Sequence, residues 1–397
     1  MNAPLIYIIA GEPSGDALGA KLMAALKERS GGAVRFAGIG GENMAAESLV
    51  SIVPIADLAI MGVTEVLPSL RRIFRHIATA VADIRRLRPA AVVTIDSSGF
   101  TWRVAQRLRR LGERELPLIH YVAPMVWAWR SGGAQRMARW YDHLMVLLPF
   151  EPPYFTAVGL ACTYVGHPAV ESGADQADGA DFRRRHGIPA TAPVVAVLPG
   201  SRRGEVKRLL PVFGEAVARL AEHRPGLRIV VPTRETVATM VSAAAARWAA
   251  PALVLRGDPE KYAAFAASNA AMAASGTVAL ELAMAKVPHI VGYRLLPLTH
   301  WQLRRIVKVK YAHLLNLILD QPVVPELIQQ DCEPGRIAGE IEGLLDDAER
   351  REAQIAACQE GLRRLGLGEL RPSRRAADVV LSIIAERQRS DRRPSAA

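Results

Sequence analysis

The sequence has few cysteines and no long apolar run. Its 397 residues include only Cys162, Cys332 and Cys358, which are far apart and form no CxxC pair. An odd number without paired spacing argues against a disulfide framework and against a thiolate zinc site. No apolar run approaches the roughly 18 residues that a membrane-spanning helix needs, and the N-terminus lacks a signal peptide's basic region and cleavage site. These absences predict a cytoplasmic protein whose membrane contact is peripheral.

Several common catalytic signatures are also missing. The nine histidines are scattered and form neither HExxH nor HxxxH, so a histidine metal site has little support. The hydrolase motif GxSxG and the P-loop motif GxxxxGK[ST] do not occur. The glycine-rich stretch 38–44 lacks the GxGxxG spacing, because position 43 is Asn, and a turn lining a cleft is the better interpretation.

Charge is the most unusual feature of what is present. Lys and Arg number 50 against 39 Asp and Glu, a formal net charge of +11. Such an excess suits nucleic acid, an anionic membrane or a phosphorylated substrate. Only seven of the cations are Lys, and no RNP-type strand, zinc finger or recognition helix is evident, so nucleic acid is not an expected partner.

Short apolar runs alternate with longer amphipathic segments. Runs bounded by Gly, Pro or Asp are typical of buried parallel strands, and the alternation predicts open α/β sheets. The predicted strands are 5–10, 34–39, 91–95, 118–122, 144–148, 194–198, 228–232, 253–255, 270–273 and 289–293. The predicted helices include 17–29, 70–87, 102–111, 335–345, 348–365 and 374–387.

The alternation occurs in two series, which predicts two doubly wound domains facing across a cleft. The expected divisions are 1–168 for the first domain, 169–190 for a small and acidic linker, and 191–345 for the second domain. Helices over 346–387 are expected to pack back over the interdomain region, and 388–397 to be disordered. Ligands of such folds bind at the carboxyl ends of the strands.

Two turns in the first half carry candidate chemistry. Gly11, Glu12, Ser14 and Gly15 lie where a strand passes into a helix, a place where backbone can approach a ligand. Asp96 ends the strand 91–95, where a carboxylate can act as general base. A tight turn with a helix cap explains either motif equally well.

The stretch 120–130 is rich in aromatic residues at the exit of a strand. Tyr121 and Trp127 suit contact with a sugar or an acyl chain, although a plain hydrophobic cap fits the composition as well. His120 and His167 are better interpreted as core or hinge residues than as catalysts.

Two turns in the second half favour a phosphate ligand. Gly200, Ser201 and Arg202 precede a helix and offer backbone N–H groups, a hydroxyl and a guanidinium. The second turn has the same character and consists of Ser275, Gly276 and Thr277, with Glu281 four residues after Thr277 on the same helix face. A good helix start explains this second turn by itself, but two such turns in one domain make coincidence less convincing.

Two segments mix apolar side chains with clustered cations. Residues 58–76 end in Arg71, Arg72 and Arg75, and 294–310 repeats the mixture around Trp301. This pattern predicts contact with an anionic membrane surface, and a core helix with a solvated basic face is the alternative.

Taken together, these motifs resemble the lipid-A-disaccharide synthases, glycosyltransferases of the GT-B fold with two Rossmann-like domains. The matching stretches are Ala10-Gly-Glu-Pro-Ser-Gly-Asp16, Ala59-Ile-Met-Gly-Val-Thr-Glu-Val66, Ile95-Asp96, His120-Tyr-Val-Ala-Pro124, Trp127-Ala-Trp129, Leu147-Leu-Pro-Phe-Glu151, Val165-Gly-His167, Leu198-Pro-Gly-Ser-Arg202, Ala274-Ser-Gly-Thr277 and Val291-Gly-Tyr-Arg294. Their order and spacing extend from about residue 5 to 345.

The resemblance implies an inverting transfer of 2,3-diacylglucosamine from UDP-2,3-diacylglucosamine to 2,3-diacylglucosamine 1-phosphate (lipid X), without a metal or other cofactor. Asp96 matches the family's essential aspartate and is the expected base, with Glu12 in reserve. The nucleotide is expected on the second domain, at Arg202 and the Ser275–Thr277 turn, with Glu281 at the ribose and Asn316 nearby. The enzyme is expected at the cytoplasmic leaflet of the inner membrane.

The chain departs from the family pattern after the expected base. The family usually continues with a Pro and a second carboxylate, where this chain has Ser98 and Gly99. The base role is therefore expected to rest on Asp96 alone. The alternative functions are a UDP-N-acetylglucosamine 2-epimerase or a peptidoglycan-type N-acetylglucosaminyltransferase, and the sequence does not indicate the oligomeric state.

Overall fold

The computed structural model describes residues 3–58, 66–128, 132–274, 276–296, 301, 307 and 309–391. The chain divides into two compact units. The first comprises Met1–Pro168 with Glu369–Ala397, and the second comprises Ala169–Gly368. Each unit is built on its own parallel sheet with helices packed on the faces.

Six strands form each sheet. In the first unit they are β1 (Leu5–Ala10), β2 (Arg35–Ile39), β3 (Ala91–Ile95), β4 (Leu118–Tyr121), β5 (His143–Val146) and β6 (Ala161–Tyr164). In the second they are β7 (Val194–Leu198), β8 (Arg228–Thr233), β9 (Ala252–Arg256), β10 (Ala270–Ala273), β11 (His289–Tyr293) and β12 (Glu326–Ile328). The spatial orders are β2-β1-β3-β4-β5-β6 and β12-β11-β10-β7-β8-β9.

The helices cover both faces of the sheets. They are α1 (Pro13–Arg29), α2 (Glu42–Ala46), α3 (Val66–Leu87), α4 (Ser98–Arg110), α5 (Gly133–Ala138), α6 (Pro152–Thr156), α7 (Gly179–Arg185), α8 (Arg203–His223), α9 (Glu235–Ala245), α10 (Asp258–Ala266), α11 (Thr277–Met284), α12 (Leu314–Leu319), α13 (Pro334–Asp346), α14 (Ala348–Arg364) and α15 (Pro372–Asp391). Short 3-10 helices span Ile55–Asp57, Pro168–Glu171, Ala174–Gln176 and Gln329–Asp331. Central strands such as β3 and β7 are buried along their whole length, as continuous apolar runs between two helical layers must be.

Each sheet has one position where the direction of strand succession reverses. In the first unit it lies between β1 and β3, which pair with Ala10 opposite Ile95. In the second it lies between β7 and β10, which pair with Leu198 opposite Ala273. Loops diverge at such a reversal and leave a crevice beyond the carboxyl ends of the strands, which is where ligands of these sheets bind.

All ten predicted strands are present, but β6 and β12 were not predicted. Both are edge strands of four and three residues with partly exposed side chains, so neither gives an apolar run. The expected linker 169–190 instead forms two 3-10 helices and α7, whose Phe182 is fully buried in the second unit.

The helices over 346–387, which were expected to form one C-terminal group, belong to different units. Helices α13 and α14 belong to the second unit, and α15 to the first. Ala376 and Val380 of α15 are fully buried, and two ion pairs, Arg29 with Asp378 and Arg374 with Glu28, join it to α1. The helix continues to Asp391, so part of the predicted disordered tail is helical. Residues 392–397 lie outside the described residues.

Candidate active site

The β1–α1 and β3–α4 turns of the first unit are in direct contact. A methyl group on Gly11 would lie 2.3 Å from Oγ and 2.6 Å from Cβ of Ser97. Glycine is therefore required there, because any side chain would separate the two turns. The contact brings the motif beginning at Gly11 next to Asp96.

Asp96 and Ser97 both adopt the left-handed backbone conformation, with φ of 47° and 46°. Consecutive non-glycine residues rarely do so, and such strain concentrates at functional sites. The Asp96 N–H donates to the Tyr121 carbonyl at 3.0 Å, and the Thr101 hydroxyl donates to the Asp96 carbonyl at 2.7 Å. The half-buried carboxylate of Asp96 has no hydrogen-bond or ion-pair partner among the residues the structure describes.

The other first-turn residues have different surroundings. Glu12 and Ser14 are exposed at the start of α1, whereas Gly15 is buried. Asp16 is buried and holds the glycine-rich turn before α2, so it is a structural residue. Its carboxylate accepts hydrogen bonds of 2.7 to 3.1 Å from the backbone of Gly41, Asn43 and Met44 and from the Asn43 amide.

His120 is a core residue, as predicted. Its ring is 1% exposed, its Nδ1 lies 2.7 Å from the Thr94 hydroxyl, and burial lowers its pKa to about 3. A histidine that stays neutral throughout the physiological range contributes packing and hydrogen bonding and carries no proton in catalysis. His167 is likewise buried, and its pKa is lowered to about 4 by burial and then by Lys21.

The aromatic loop begins where β4 ends. Tyr121 is fully buried in the core, so of the two predicted aromatic contacts Trp127 is the more accessible. Its indole Nε1 donates to Oε1 of Glu151 at 3.1 Å. Glu151 is 3% exposed and was not among the predicted site residues, although it ends the family motif that begins at Leu147. Trp129 lies outside the described residues.

Gly200 and its neighbours form an anion-compatible helix start in the second unit. Gly200 has φ of 110°, and a methyl group there would lie 2.1 Å from the Glu205 carboxylate, which accepts from the Ser201 N–H at 3.2 Å. Arg202 is exposed at the N-cap of α8, and no acidic residue of the described chain pairs with it. The helix dipole and this guanidinium both favour a bound anion.

The second phosphate-type turn starts α11 on the neighbouring strand β10. Gly276 is the N-cap, with φ of 133°, and a methyl group there would lie more than 4 Å from every described residue beyond its chain neighbours; Thr277 begins the helix. Ser275 lies outside the described residues. Glu281 is mostly buried and paired, because Lys261 Nζ lies 3.1 Å from both carboxylate oxygens and the Tyr262 hydroxyl donates at 3.1 Å.

Asn316, which is expected near the nucleotide, makes its side-chain hydrogen bonds to neighbouring residues of the second unit. The side chain is fully buried, its Nδ2 donates to the Val324 carbonyl and to Glu326, and its Oδ1 accepts from the Val324 N–H. These bonds use both amide hydrogens, so Asn316 fixes the turn between α12 and β12.

Tyr293 was not among the predicted site residues. It ends β11 beside Glu205, and burial and then that carboxylate raise the pKa of its hydroxyl.

The predicted membrane segment is partly described. Phe74 of α3 is 52% exposed, and beside it runs a groove of about 400 Å³ between α3 and α4. The groove is lined by Phe74, Ile77, Arg103, Gln106, Arg107, Arg110 and Leu111. Residues 59–65 of this segment, and Arg304, Arg305 and Lys308 of the second cluster, lie outside the described residues. In the part of the chain that the structure describes, every helix is too short or too polar to cross a bilayer.

Solved structures share this architecture. The S. aureus MnaA-UDP co-structure has a TM-score of 0.64 at 12% identity and covers 97% of this chain and 96% of its own. The UDP-GlcNAc 2-epimerase from Neisseria meningitidis, bound to UDP-GlcNAc, has a TM-score of 0.62 at 9% identity. The match covers 96% of this chain and 99% of the epimerase chain. Likeness at such identity shows the fold alone, which is GT-B with two Rossmann-like domains.

The similarity to known sequences identifies the family as well as the fold. A family model described as lipid-A-disaccharide synthetase matches residues 6–380. The lipid-A-disaccharide synthase of Rhodospirillum centenum is 54% identical over 392 residues, covering 99% of this chain and 98% of that protein. The synthase of Paramagnetospirillum magneticum is 50% identical over 384 residues, which cover 96% of this chain and 98% of that protein. The motif-based resemblance is thus confirmed, and the chain belongs to the lipid-A-disaccharide synthase family of glycosyltransferases.

Proposed function

We propose that the protein transfers 2,3-diacylglucosamine from UDP-2,3-diacylglucosamine to the 6-hydroxyl of lipid X, with inversion at the anomeric carbon. The products are the β-1′,6-linked lipid A disaccharide 1-phosphate and UDP. The observation that carries the proposal is the Asp96 carboxylate at the strand reversal of the first unit, which is held by a strained turn and has no partner among the described residues.

Asp96 is the general base in this reaction. It takes the proton from the acceptor hydroxyl as that oxygen bonds to the anomeric carbon and the bond to the UDP oxygen breaks. An aspartate paired with Arg or Lys would be a weaker base, because the cation stabilises the ionised form. Asp96 has no such partner in the described chain, and exposed Glu12 on the neighbouring turn is the reserve.

The UDP moiety binds to the second unit. Arg202 and the N–H groups at the start of α8 neutralise the diphosphate as it departs, and the start of α11 adds a second set of donors. Glu281 accepts from the ribose hydroxyls while Lys261 and Tyr262 hold its carboxylate in place. Such supporting contacts keep a binding group in one orientation.

The groove between α3 and α4 meets the cytoplasmic face of the inner membrane. Arg103, Arg107 and Arg110 line it beside exposed Phe74, so apolar and cationic groups lie on one surface. Anionic lipid headgroups attract such cations, at about 1 kcal/mol each. Both substrates carry acyl chains, so an enzyme held at the bilayer meets them where they concentrate.

A transfer assay with synthetic diacyl donor and acceptor tests the proposal. We expect UDP release that requires lipid X and forms a disaccharide with a β linkage. UDP release without acceptor, or epimerisation of UDP-N-acetylglucosamine, would instead support the alternatives. Charge reversal at Arg103 and Arg107 should weaken binding to anionic vesicles, whereas reversal at Arg219, an exposed arginine of α8 paired with Glu215, should leave it unchanged.

A further inference from the structure

Glu151 is a buried carboxylate without a cation. It follows β5 and is 3% exposed, and no Lys or Arg of the described chain pairs with it. Its Oε2 accepts from the backbone N–H groups of Leu147 and Leu148 at 3.1 and 2.9 Å. Its Oε1 accepts from the Trp127 indole at 3.1 Å. Three N–H donors therefore replace the water that a carboxylate loses on burial.

Only an ionised carboxylate satisfies all three donors. A carboxylic acid or an amide keeps one acceptor oxygen for Leu147 and Leu148 but turns a hydroxyl or an NH₂ toward the indole N–H. The side-chain contact to Trp127 would thus weaken first. The Trp127 ring also meets Phe150 edge-to-face at 5.3 Å, so the loop after β5 holds the indole at two points.

This contact joins two loops on the edge that carries Asp96. Strands β4 and β5 are parallel neighbours, with Tyr121 opposite Met145, and the Tyr121 carbonyl accepts from the Asp96 N–H. Between Tyr121 and Trp127 the chain passes through Val122 with φ of 78°. A β-branched residue in that conformation is a true outlier and persists only where its surroundings hold it.

We propose that Glu151 is a positioning residue of the acceptor site, holding the indole of Trp127 so that the loop 122–128 presents one fixed aromatic surface beside Asp96. The inference rests on the function proposed above, in which the first unit binds the acceptor. Trp127 touches the acylated sugar, and Glu151 acts through Trp127.

The protonation of Glu151 makes the inference measurable near neutral pH. Burial raises the pKa of Glu151 to about 7 against the opposing effect of its three hydrogen bonds. Among the described residues, Cys162 on β6 lies close enough to interact with the Glu151 charge. Burial and then that carboxylate raise the pKa of the Cys162 thiol to about 12, so the thiol stays neutral. Below pH 7 the acid form weakens the hydrogen bond to the indole, and the affinity for acceptor falls.

Indole N–H resonances of the ¹⁵N-labelled protein without substrate test the contact itself. The Trp127 resonance, assigned with Trp127→Phe, should shift with a midpoint near pH 7, while Trp140, whose ring packs on Trp102 at 6.1 Å, serves as reference. In Glu151→Gln the resonance should stay at its acid position at every pH. A Trp127 resonance that neither titrates nor responds to Glu151→Gln would overturn the inference, and the wild-type titration decides even if the variant fails to fold.

Steady-state kinetics then show whether Glu151 positions Trp127 in the acceptor site or only stabilises the fold. Glu151→Gln and Trp127→Phe should each raise KM for lipid X by about 10-fold, the cost of one lost hydrogen bond to a charged group. The KM for the UDP-sugar should be unchanged, the acid-side fall in acceptor affinity should disappear, and the double variant should be no worse than either single variant. Equal loss for both substrates with the pH profile intact would overturn the inference. A wild-type protein that titrates as described but transfers nothing to lipid X would refute the proposed function instead.

Discussion

The two strand reversals have similar topology and opposite construction. In the first unit the turns after β1 and β3 touch, with Gly11 against Ser97, and two consecutive residues are held in left-handed conformation. In the second unit Arg202 after β7 is exposed, and a methyl group on Gly276 after β10 would meet no described side chain within 4 Å.

This difference matches the two tasks of a glycosyl transfer. Proton abstraction needs a base held within a fraction of an ångström, which a packed and strained turn provides. Diphosphate binding needs positive potential over several oxygens, which a helix start and a guanidinium provide without close packing. We therefore expect substitutions in the first unit to reduce kcat and those in the second to reduce affinity.

Asp96→Asn should have the largest effect. The amide keeps the shape of the side chain and cannot accept a proton, so kcat should fall by about 10³-fold, within the range of general-base catalysis. UDP affinity, measured by calorimetry, should stay unchanged. The matched control is Asp378→Asn, a partly exposed aspartate of the same unit that pairs with Arg29. Retention of near-normal turnover would place the base elsewhere, with Glu12→Gln as the next variant to measure.

Gly11→Ala should have the next largest effect, because its new methyl group meets Ser97 at 2.3 Å. Overpacking of this kind should cost about 1–3 kcal/mol of unfolding free energy and reduce kcat as the two turns separate.

Gly15→Ala is the matched control for Gly11→Ala. Gly15 lies within α1, and its methyl group would meet its nearest neighbours, Ala10 and Ile95, at an ordinary 3.5 Å. The free energy of unfolding should therefore rise by about 0.5–1 kcal/mol.

Ser97→Gly should partly rescue Gly11→Ala, since it removes the clashing atoms and glycine accepts φ of 46°. Denaturant titration of the variants checks all three expectations, and equal stability of Gly11→Ala and Gly15→Ala would mean that the turns are not packed as described.

Arg202→Ala should weaken the binding of UDP. Loss of a hydrogen bond to a charged group costs about 1.5–3 kcal/mol, which is roughly 10–100-fold in the dissociation constant of UDP. Its matched control is Arg219→Ala on the same helix, whose side chain pairs with Glu215. Unchanged UDP binding by Arg202→Ala would move the diphosphate away from the start of α8.

Gly99→Asp should have the smallest effect. Among the described residues, the atom nearest to a Cβ at this position is Arg103 Nη1 at 4.0 Å, so a side chain can begin here without a clash. A carboxylate in the first turn of α4 should add about 0.3–1 kcal/mol of stability. If Asp96 alone is the base, kcat should change by less than about 2-fold, and a large gain would show that the second carboxylate shares the role.

Local patterns predicted the strands that build both sites. Runs such as 91–95 and 194–198 are apolar throughout because both faces of the strand are buried, and the residue after each run stands at the edge where ligands bind. That reasoning placed Asp96 and Arg202 just after the ends of two strands, and only the strand order of the structure shows that both strands lie at a reversal. The same reasoning did not indicate the contacts of Asn316, because nothing in the local sequence shows that Val324 and Glu326 bind its amide.

By itself the sequence determined ten of the twelve strands in the described residues, the long helices and the turns between them, because hydrophobic periodicity and turn composition are local properties. The tertiary structure alone decided what those side chains touch. Three contacts join residues that lie 20 to 86 positions apart in the chain. They are the close approach of Gly11 to Ser97, the hydrogen bond from Trp127 to Glu151 and the ion pair of Lys261 with Glu281. Strand order brings such residues together, and strand order depends on how helices of both halves bury their apolar faces, which no short motif encodes.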